Sequence, residues 1–346
     1  MAAPASGVPT PPAVLAGLRA AFGAELVGET GYDLAAARCT STREKAEARE
    51  RGSSLLYGEL LPDGVTKALQ PEELGGSLCE GGLFLELGMG SGKVALQVFL
   101  QFPQLRRVVG VEIAGSRYAI AEAALQRLLA ATPGGGVPRL RADARAEGKE
   151  LSVVEVGQDR RLELHRADFF AVGLDLVEET DIILFAVQIP SKLFPKLCAR
   201  LAKAKQGCRL FTYHALSAIW WTNEPCPFHT VDANRPETDM FATSWSPTGY
   251  KFHVYVCDRK RDPEITPDPL NDTYSQWQAV WDEASKSYYF HNQETELSQW
   301  EVPHEDGCWK AAWAEEHKAY FFYHEPTGHS QWEVPKCLAD LGWVAT

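Results

Sequence analysis

A glycine-rich turn between a predicted buried strand and a predicted helix constrains this sequence more than any other feature. Residues 83–87 (LFLEL) form a short, continuous apolar run, which is typical of a strand buried in a parallel sheet. The sequence GMGSGK follows at 88–93, and helix-forming residues begin at Val94. Glycines allow the backbone of such a turn to approach a bound molecule closely. The segment therefore predicts a strand–turn–helix unit that is suited to holding a ligand.

Two common phosphate-binding motifs do not fit this turn. A P-loop needs glycine at position 87 and serine or threonine at position 94, whereas the chain has Leu87 and Val94. A dinucleotide turn of the G-x-G-x-x-G type needs glycine at position 93, where the chain has Lys93. The pattern that remains is an acidic residue, a leucine and three alternating glycines.

Acidic residues stand on both sides of the turn. Glu86 lies just before it, and Glu112, 24 residues after Gly88, ends the next predicted strand at 108–113. That spacing is close to the one at which an acid accepts both hydroxyls of a ribose. Glu86 suits the ammonium of an amino acid, so S-adenosylmethionine fits both ends. The alternative is a tight turn without a ligand.

Strand and helix patterns alternate along the first 258 residues, which predicts βαβ units and a parallel sheet. The predicted strands are 83–87, 108–113, 162–170, 181–187 and 207–214, and 250–257 closes this body. The predicted helices are 13–26, 41–51, 94–102, 117–131 and 191–205. Pro195 is expected near the start of the last helix, and 132–150 is interpreted as an inserted surface loop.

Composition excludes several function classes. The chain has 346 residues, enough for about two domains. Its net charge of −12 disfavours strong nonspecific nucleic-acid binding. No apolar run reaches the roughly 18 residues that span a membrane. The eight cysteines include no C-x-x-C pair, which predicts reduced thiols in an intracellular protein and no metal site.

The C-terminal part contains an internal repeat with a period of 32 residues. The sequence SQWEVP occurs twice. Two tryptophans and a proline recur at this spacing, as Trp277, Trp300 and Pro303 and then as Trp309, Trp332 and Pro335. Residues 277–303 and 309–335 resemble WW domains, which implies two small three-stranded all-β domains.

Period-2 alternation places Tyr289 with Trp300, and Phe321 with Trp332, on exposed faces. Such aromatic pairs form grooves for extended proline-rich segments. Two β-domains without a ligand are the alternative.

The first 258 residues resemble a known enzyme family through five segments in order. They are LYGEL (56–60), FLELGMGSGKVALQ (84–97), VVGVEIAGSRYAIAEAA (108–124), ADFF (167–170) and SWSPTGYKFHVY (244–255). Over roughly residues 28–258 the chain resembles the disruptor-of-telomeric-silencing (Dot-one) type of histone-lysine methyltransferase, the non-SET class. The resemblance implies a class I, Rossmann-like α/β sheet with helices on both faces. It also implies S-adenosylmethionine as cofactor and a nuclear location.

The resemblance assigns residues to the cofactor. Tyr57 and Glu59 lie on a loop over it, and Glu112 holds the ribose. Glu86, Gly88, Gly90 and Gly92 hold the amino-acid end, and Asp168 with Phe169 hold the adenine. Simple packing is the alternative for Tyr57, and a cap before an apolar run is the alternative for Asp168.

The acceptor side departs from the family pattern. The family has an asparagine pair after its fourth strand, where this chain reads Phe-Ala-Val-Gln-Ile-Pro with Gln188 as the nearest amide. Phe252 replaces a channel tyrosine, and Lys93 replaces a glutamine. Gln188, Phe252 and Trp245 are therefore the candidate channel residues; for Trp245 and Phe252 ordinary hydrophobic core is the alternative.

The predicted organisation has five parts. They are a flexible N-terminal segment with the start of the helical region at 1–27, a methyltransferase domain at 28–258, a linker at 259–272 and WW domains at 273–305 and 306–337. The first hypothesis is a protein-lysine methyltransferase that proline-rich partners recruit, with a histone or nucleosome as substrate. The second is a WW adaptor with an inactive methyltransferase body. The third is a methyltransferase for a non-histone acceptor.

Overall fold

The computed structural model describes most of the first 265 residues and the strands of the C-terminal repeats. The described residues are 8–24, 26–30, 34–50, 55, 57–130, 151–156, 159–170, 175–189, 193–220, 225–231, 240–265, 277–282, 287–292, 298–299, 309–314, 319–324 and 329–332. The interpreted loop at 132–150 and the second half of the predicted linker, 266–272, lie outside them.

Short helices precede the first strand, and longer ones alternate with the strands that follow. The helices in the described residues are α1 (Pro12–Phe22), α2 (Ala35–Arg38), α3 (Thr42–Glu50), α4 (Pro62–Ala68), α5 (Pro71–Leu74), α6 (Lys93–Gln101), α7 (Gly115–Ala130), α8 (Phe194–Leu201) and α9 (Leu216–Ile219). None of them is long and apolar enough to cross a membrane.

The strands belong to one large sheet and two small ones. Those of the large sheet are β1 (Gly82–Leu87), β2 (Leu105–Glu112), β3 (Leu151–Val156), β4 (Arg160–Arg166), β5 (Ile182–Phe185), β6 (Arg209–Thr212), β7 (Phe228–Thr230) and β8 (His253–Cys257). Those of the small sheets are β9 (Trp277–Asp282), β10 (Ser287–Asn292), β11 (Ser298–Gln299), β12 (Trp309–Ala314), β13 (Ala319–His324) and β14 (His329–Gln331).

The large sheet has the order β3-β4-β2-β1-β5-β6-β8-β7. Its five central strands are parallel, and β3, β8 and β7 pair antiparallel at the two ends. The chain runs outward from β1 through β2 to β4, and it then crosses back to β5 on the other side of β1. The carboxyl ends of β1 and β5 therefore flank a topological switch point, where α/β sheets bind ligands.

Apolar side chains alternate between the two faces of this sheet. Phe84 lies in a core with residues of α1, α4, α6 and α7, whereas Leu85 lies in a core with residues of α8 and α9. Because both faces are covered, the central strands are buried along most of their length. The Rossmann-like α/β sheet with helices on both faces is confirmed.

Element boundaries differ from the predicted ones for local reasons. α1 ends at Phe22 rather than residue 26, because Gly23 takes a φ of 91° that a helix cannot continue. α8 begins at Phe194, with Pro195 in its first turn as expected. The strand β3 was not predicted; it pairs antiparallel with β4.

Each C-terminal repeat forms a three-stranded antiparallel sheet. In the first repeat β10 lies between β9 and β11, and in the second β13 lies between β12 and β14. The two short all-β domains predicted from the repeat therefore have the expected strand count.

Candidate functional site

A cavity of about 360 Å³ lies at the switch point of the large sheet. Its walls come from the segment before β1, from the carboxyl ends of β1, β2, β5 and β6, and from the hairpin before β8. The predicted site residues that line it are Tyr57, Glu59, Glu86, Gly88, Gly90, Glu112, Gln188 and Trp245. These residues lie up to 188 positions apart in the chain, and the sheet brings them to one place.

The glycine turn requires its glycines for steric and conformational reasons. Gly88 and Gly90 have φ values of 81° and 55°. A Cβ on Gly88 would lie 2.1 Å from Cγ1 of Val187, and one on Gly90 would lie 2.4 Å from Cε2 of Tyr57. The backbone N–H groups of Gly88 and Met89 both donate to Val111 O, which fixes the turn on β2. The turn therefore presents bare backbone to the cavity.

Gly92 has a different role from the other two glycines. It has a φ of 79° and is the N-cap residue of α6. A Cβ there would lie 2.8 Å from the Cβ of Ala121, so Gly92 allows α6 to pack against α7. It does not line the cavity, and its contact with the amino-acid end of the cofactor stays a prediction.

Glu112 ends β2 with its carboxylate in the cavity. Its Oε2 accepts a hydrogen bond from Gly90 N at 2.9 Å, and its Oε1 accepts one from Ala114 N at 2.8 Å. Only 4% of the residue is exposed, and burial raises the pKa of its carboxyl. A carboxylate oxygen accepts more than one hydrogen bond, so this carboxylate has the chemistry that a pair of ribose hydroxyls needs.

Glu86 is a buried carboxyl with an unsatisfied oxygen. It is 5% exposed, and within the described residues its Oε2 has no hydrogen-bond partner. Burial, together with the nearby carboxylates of Glu112 and Glu59, raises the pKa of Glu86 to about 8. A cation placed beside it would supply the missing partner and favour the ionised form. S-adenosylmethionine carries an ammonium and a sulfonium, so the orphaned oxygen fits that cofactor.

A hydrogen-bonded cluster connects the three segments around the glycine turn. The Tyr57 hydroxyl donates to Glu59 Oε1 at 2.5 Å, and Ser91 Oγ donates to the same oxygen at 3.1 Å. Lys93 Nζ lies 2.8 Å from Glu59 Oε2. The Glu59 backbone exchanges hydrogen bonds with Ser244, which precedes Trp245. Tyr57 and Glu59 are thus fixed over the turn, as a loop that covers the cofactor requires.

The acceptor side of the cavity is an aromatic wall with one amide. Tyr213 follows β6, and its hydroxyl donates to Gln188 Oε1 at 3.3 Å. Its ring packs edge-on against Trp245 at 6.5 Å and Tyr250 at 6.1 Å, measured between ring centroids. Phe252 is 1% exposed and stacks on Phe211 in the core behind this wall. Gln188 and Trp245 thus line the cavity, whereas Phe252 supports it from behind.

Asp168 and Phe169 lie beyond β4, outside the lining of the cavity. Asp168 Oδ1 accepts a hydrogen bond from Phe170 N at 2.8 Å, which is the capping arrangement named above as its alternative. Phe169 packs against Phe170 and Phe185. Their contact with adenine stays a prediction.

The predicted peptide-binding residues lie on the small sheets where they are described. Tyr289 belongs to β10 and Phe321 to β13, which are the central strands of the two sheets. Trp332 directly follows β14 and is 50% exposed. Trp300 lies outside the described residues.

Five polar residues of the cavity were not predicted as site residues from the sequence: Ser91, Lys93, Arg117, Tyr213 and Tyr250. Ser91 and Arg117 lie within segments that carry the family resemblance, and Tyr213 lies in a predicted strand. Position at the carboxyl end of a parallel strand was the available signal for Tyr213. Tyr250 lies in the resemblance segment 244–255 with Trp245, but the sequence did not show that its ring packs against Tyr213.

Family models match the two parts of the chain separately. Residues 37–134 match the family described as histone methylation protein DOT1. Residues 275–303 and 309–335 match the WW domain. Both resemblances are confirmed, to the histone methylation family over residues 37–134 and to the WW domain over the two repeats. Comparison with curated proteins gave no match.

Several solved structures of methyltransferases are similar to this chain. One is a mutant of the 16S rRNA (adenine(1408)-N(1))-methyltransferase from Catenulisporales acidiphilia, 18% identical over 52% of this chain and 87% of that one, with a TM-score of 0.31. A putative methyltransferase from Thermoplasma acidophilum is 13% identical over 56% and 76%, with a TM-score of 0.33. Trm1 from Pyrococcus horikoshii, solved with S-adenosyl-L-methionine, is 11% identical over 61% and 58%, with a TM-score of 0.32.

Proposed function

We propose that this chain, which carries a DOT1-type methyltransferase domain followed by two WW domains, transfers methyl groups from S-adenosylmethionine to protein lysines near proline-rich segments. One observation carries the proposal. A single cavity at the switch point brings together the glycine turn, Glu112 and the unsatisfied carboxyl of Glu86. A nucleoside with a cationic amino-acid end matches these groups in both shape and charge.

The chain's own residues would bind the cofactor, orient it against the acceptor and exclude water from the cavity. When bound, S-adenosylmethionine would supply a methyl group on a sulfonium: a neutral amine in line with the C–S bond would take the methyl carbon, and the thioether S-adenosylhomocysteine would leave. Glu112 would hold the ribose, and Glu86 with the glycine turn would hold the amino-acid end. Alignment of the two reactants accounts for most of the acceleration in such a displacement. Tyr213, Trp245 and Tyr250 form an aromatic wall that would keep water from the acceptor, and this desolvation favours the neutral, nucleophilic amine over the charged ammonium.

A basic protein segment is the acceptor that we favour. The chain has a net charge of −12, so a lysine-rich histone tail is attracted to it. The match to the histone methylation family supports the same substrate class. Work on chromatin would place the protein in the nucleus.

A specific observation favours two other functions. Ala186, Val187 and Gln188 form the cavity wall where the family has an asparagine pair. If that wall no longer accepts lysine, the chain is a WW adaptor or acts on a non-histone acceptor. An adaptor would bind the cofactor without turning it over. A non-histone methyltransferase would keep both binding and turnover and would differ from the first function only in its acceptor.

Calorimetry is the first test, with S-adenosylmethionine titrated into the full chain. We expect micromolar binding that Glu112→Ala abolishes. Glu122→Ala is the matched control, because Glu122 is an exposed glutamate on α7 whose Oε1 accepts from Ser152 Oγ. Lack of binding by folded wild-type protein would contradict the methyltransferase proposal.

A screen of acceptors then separates the three functions. Histones, nucleosomes and proline-rich proteins are incubated with the full chain and a cofactor carrying a labelled methyl group. Label on histone lysines supports the first function. Label confined to other proteins supports a non-histone enzyme, and cofactor binding without any label supports the adaptor.

A further inference from the structure

Arg117 is a buried arginine that holds the segment upstream of the cavity. It lies in the first turn of α7 and is only 5% exposed. Its Nε donates to Ala36 O at 3.2 Å, and its Nη2 donates to Leu55 O. One guanidinium thus joins two backbone carbonyls, 19 residues apart in the chain, to the start of α7. Such paired hydrogen bonds use the planar fork that arginine has and lysine lacks.

The same guanidinium faces the ring of Tyr57. The Arg117 Cζ lies 4.6 Å from the ring centroid, a cation–π distance. Tyr57 packs in a small cluster with Leu34 and Ala36, so the residues behind its ring are those that Arg117 ties down. In front, the Tyr57 ring lies directly over Gly90 of the glycine turn. The position of Tyr57 over the cavity therefore depends on contacts made by Arg117.

A second link joins the segment upstream of the cavity to the start of α7, at Ser116, one residue before Arg117. Glu44 of α3 accepts a hydrogen bond from Ser116 N at 2.7 Å with Oε1, and its Oε2 accepts from Ser41 N. Although partial burial opposes it, these hydrogen bonds lower the pKa of Glu44 to about 2, so the carboxylate is charged at neutral pH. A negative charge at the N-terminus of α7 is also favoured by the helix dipole.

We propose that Arg117 is a positioning residue of the cofactor site: it fixes Tyr57 over Gly90 by tying Ala36 and Leu55 to the first turn of α7. The inference rests on the proposed function, because it assigns Arg117 to the site that binds S-adenosylmethionine. Glu44 acts in the same direction through Ser116. Arg117 also lies in the cavity wall near Glu112, where its charge favours the carboxylate that burial disfavours.

Arg117→Lys tests the fork without removing the charge. A lysine ammonium can reach one of the two carbonyls and keeps a cation beside Tyr57 and Glu112. We expect S-adenosylmethionine to bind about tenfold more weakly, because one charge-assisted hydrogen bond is lost. In the ligand-free protein, the amides of residues 34–38 and 57–59 should exchange with deuterium faster than in the wild type.

Two further variants make the result specific. Arg127→Lys is the matched control: Arg127 is also on α7 and donates through Nε to a backbone carbonyl, Ala21 O, at 2.5 Å, but it does not line the cavity. We expect unchanged cofactor affinity and unchanged exchange at 34–38 and 57–59. Glu44→Ala removes the second link from a partly exposed position, so it tests the same attachment without disturbing a buried charge. It should weaken binding and speed exchange in the same segments.

The outcomes are distinguishable. The inference would be overturned if Arg117→Lys and Glu44→Ala both exchanged amide hydrogens as the wild type does and both bound the cofactor within twofold of the wild-type affinity. Faster exchange in both variants with unchanged affinity would also overturn it, since the attachment would then have no consequence for the cofactor. If the wild type itself binds no cofactor, the proposed function fails first and this assignment fails with it.

Discussion

At the scale of single residues, Glu86 is the group whose charge depends most on the ligand. Its pKa of about 8, raised chiefly by burial, keeps the carboxyl mostly protonated at pH 7. A bound ammonium or sulfonium favours the ionised form, so S-adenosylmethionine binding at pH 7 should release up to about one proton from this site. Glu86→Gln should remove that release. Calorimetry in buffers of different ionisation enthalpy measures it directly.

The control for this prediction is Glu264→Gln. Although its partial burial opposes it, a hydrogen bond from Thr230 N lowers the pKa of Glu264, so this carboxylate is already charged at pH 7. Glu264→Gln should keep the wild-type proton release.

Because the pKa of Glu86 is raised from 4.5 to about 8, the ligand-free wild type should lose stability as the pH rises between these two values. Glu86→Gln should lack this loss. Equal proton release in wild type and Glu86→Gln would contradict the assignment.

Tyr213 gives a second prediction at this scale, on the acceptor side. Tyr213→Phe removes the hydroxyl that donates to Gln188 Oε1 and leaves the ring that packs on Trp245. We expect cofactor affinity to stay unchanged while turnover of a lysine acceptor falls about tenfold, because the single amide of the wall loses its orienting partner. Steady-state methylation kinetics with labelled cofactor test it.

Tyr255→Phe is the matched variant for Tyr213→Phe. The Tyr255 hydroxyl accepts from Leu216 N at 3.0 Å, and the residue is buried away from the cavity. It should lower the melting temperature and leave turnover per folded enzyme unchanged. A Tyr213→Phe enzyme with wild-type turnover would show that the hydroxyl has no part in placing the acceptor.

The sequence predicted the acidic residues of the site better than its aromatic wall. Glu86 and Glu112 each lie within a few residues of the glycine turn or the end of a strand, where local pattern is informative. Tyr213 and Tyr250 reach the cavity because β6 lies two strands from β1 and the hairpin folds back over that edge. Such placement depends on strand order, which periodicity along one sequence does not reveal.

At the scale of elements, the strand–turn–helix unit from β1 to α6 rests on close approach at Gly90. Gly90→Ala would place a Cβ 2.4 Å from the Tyr57 ring and strain a backbone with a φ of 55°. The Tyr57 ring must then move out of the cavity wall. We expect cofactor affinity to fall at least about tenfold, because backbone strain and a displaced ring each cost on the order of 1 kcal/mol or more. Binding calorimetry measures the loss.

Gly81→Ala separates backbone strain from steric contact. Gly81 has a φ of 74°, and a Cβ there would meet nothing within 4 Å, in the turn that leads into β1. The substitution should cost about 1 kcal/mol of folding stability, as a left-handed alanine does, and leave cofactor binding intact. If both variants bound cofactor alike, the contact between Gly90 and Tyr57 would not matter to the site.

The sequence predicted strands correctly where both faces of the strand are buried. The runs that became β1 and β2 are apolar on both faces, and the structure buries them on both faces. β3 and β7 pair antiparallel at the ends of the sheet, with shorter or partly exposed patterns. The three valines of β3 favour a strand, so the prediction missed a local signal there. β7 has only three residues, too few for a pattern, and its pairing is decided by β8.

At the scale of the whole molecule, the chain combines a cavity for a small cofactor with two domains that bind extended peptides. Linked domains raise the effective concentration of a tethered acceptor at the cavity into the millimolar range when the linker spans the sites. The WW domains should therefore change which acceptors are methylated without changing how the cofactor binds.

A double variant, Trp300→Ala with Trp332→Ala, tests this separation. Loss of the two tryptophans predicted to form the grooves should weaken binding of a proline-rich peptide about thirtyfold or more, as truncation of a central aromatic residue usually does. S-adenosylmethionine affinity should equal that of the wild type. Methylation of an acceptor fused to a proline-rich segment should fall to the rate of the same acceptor without that segment. Gln299→Ala with Gln331→Ala is the matched control, because the period-2 alternation of the sequence predicts these residues on the face opposite to Trp300 and Trp332. Wild-type methylation of the fused acceptor by the tryptophan variant would mean that the WW domains do not select the substrate.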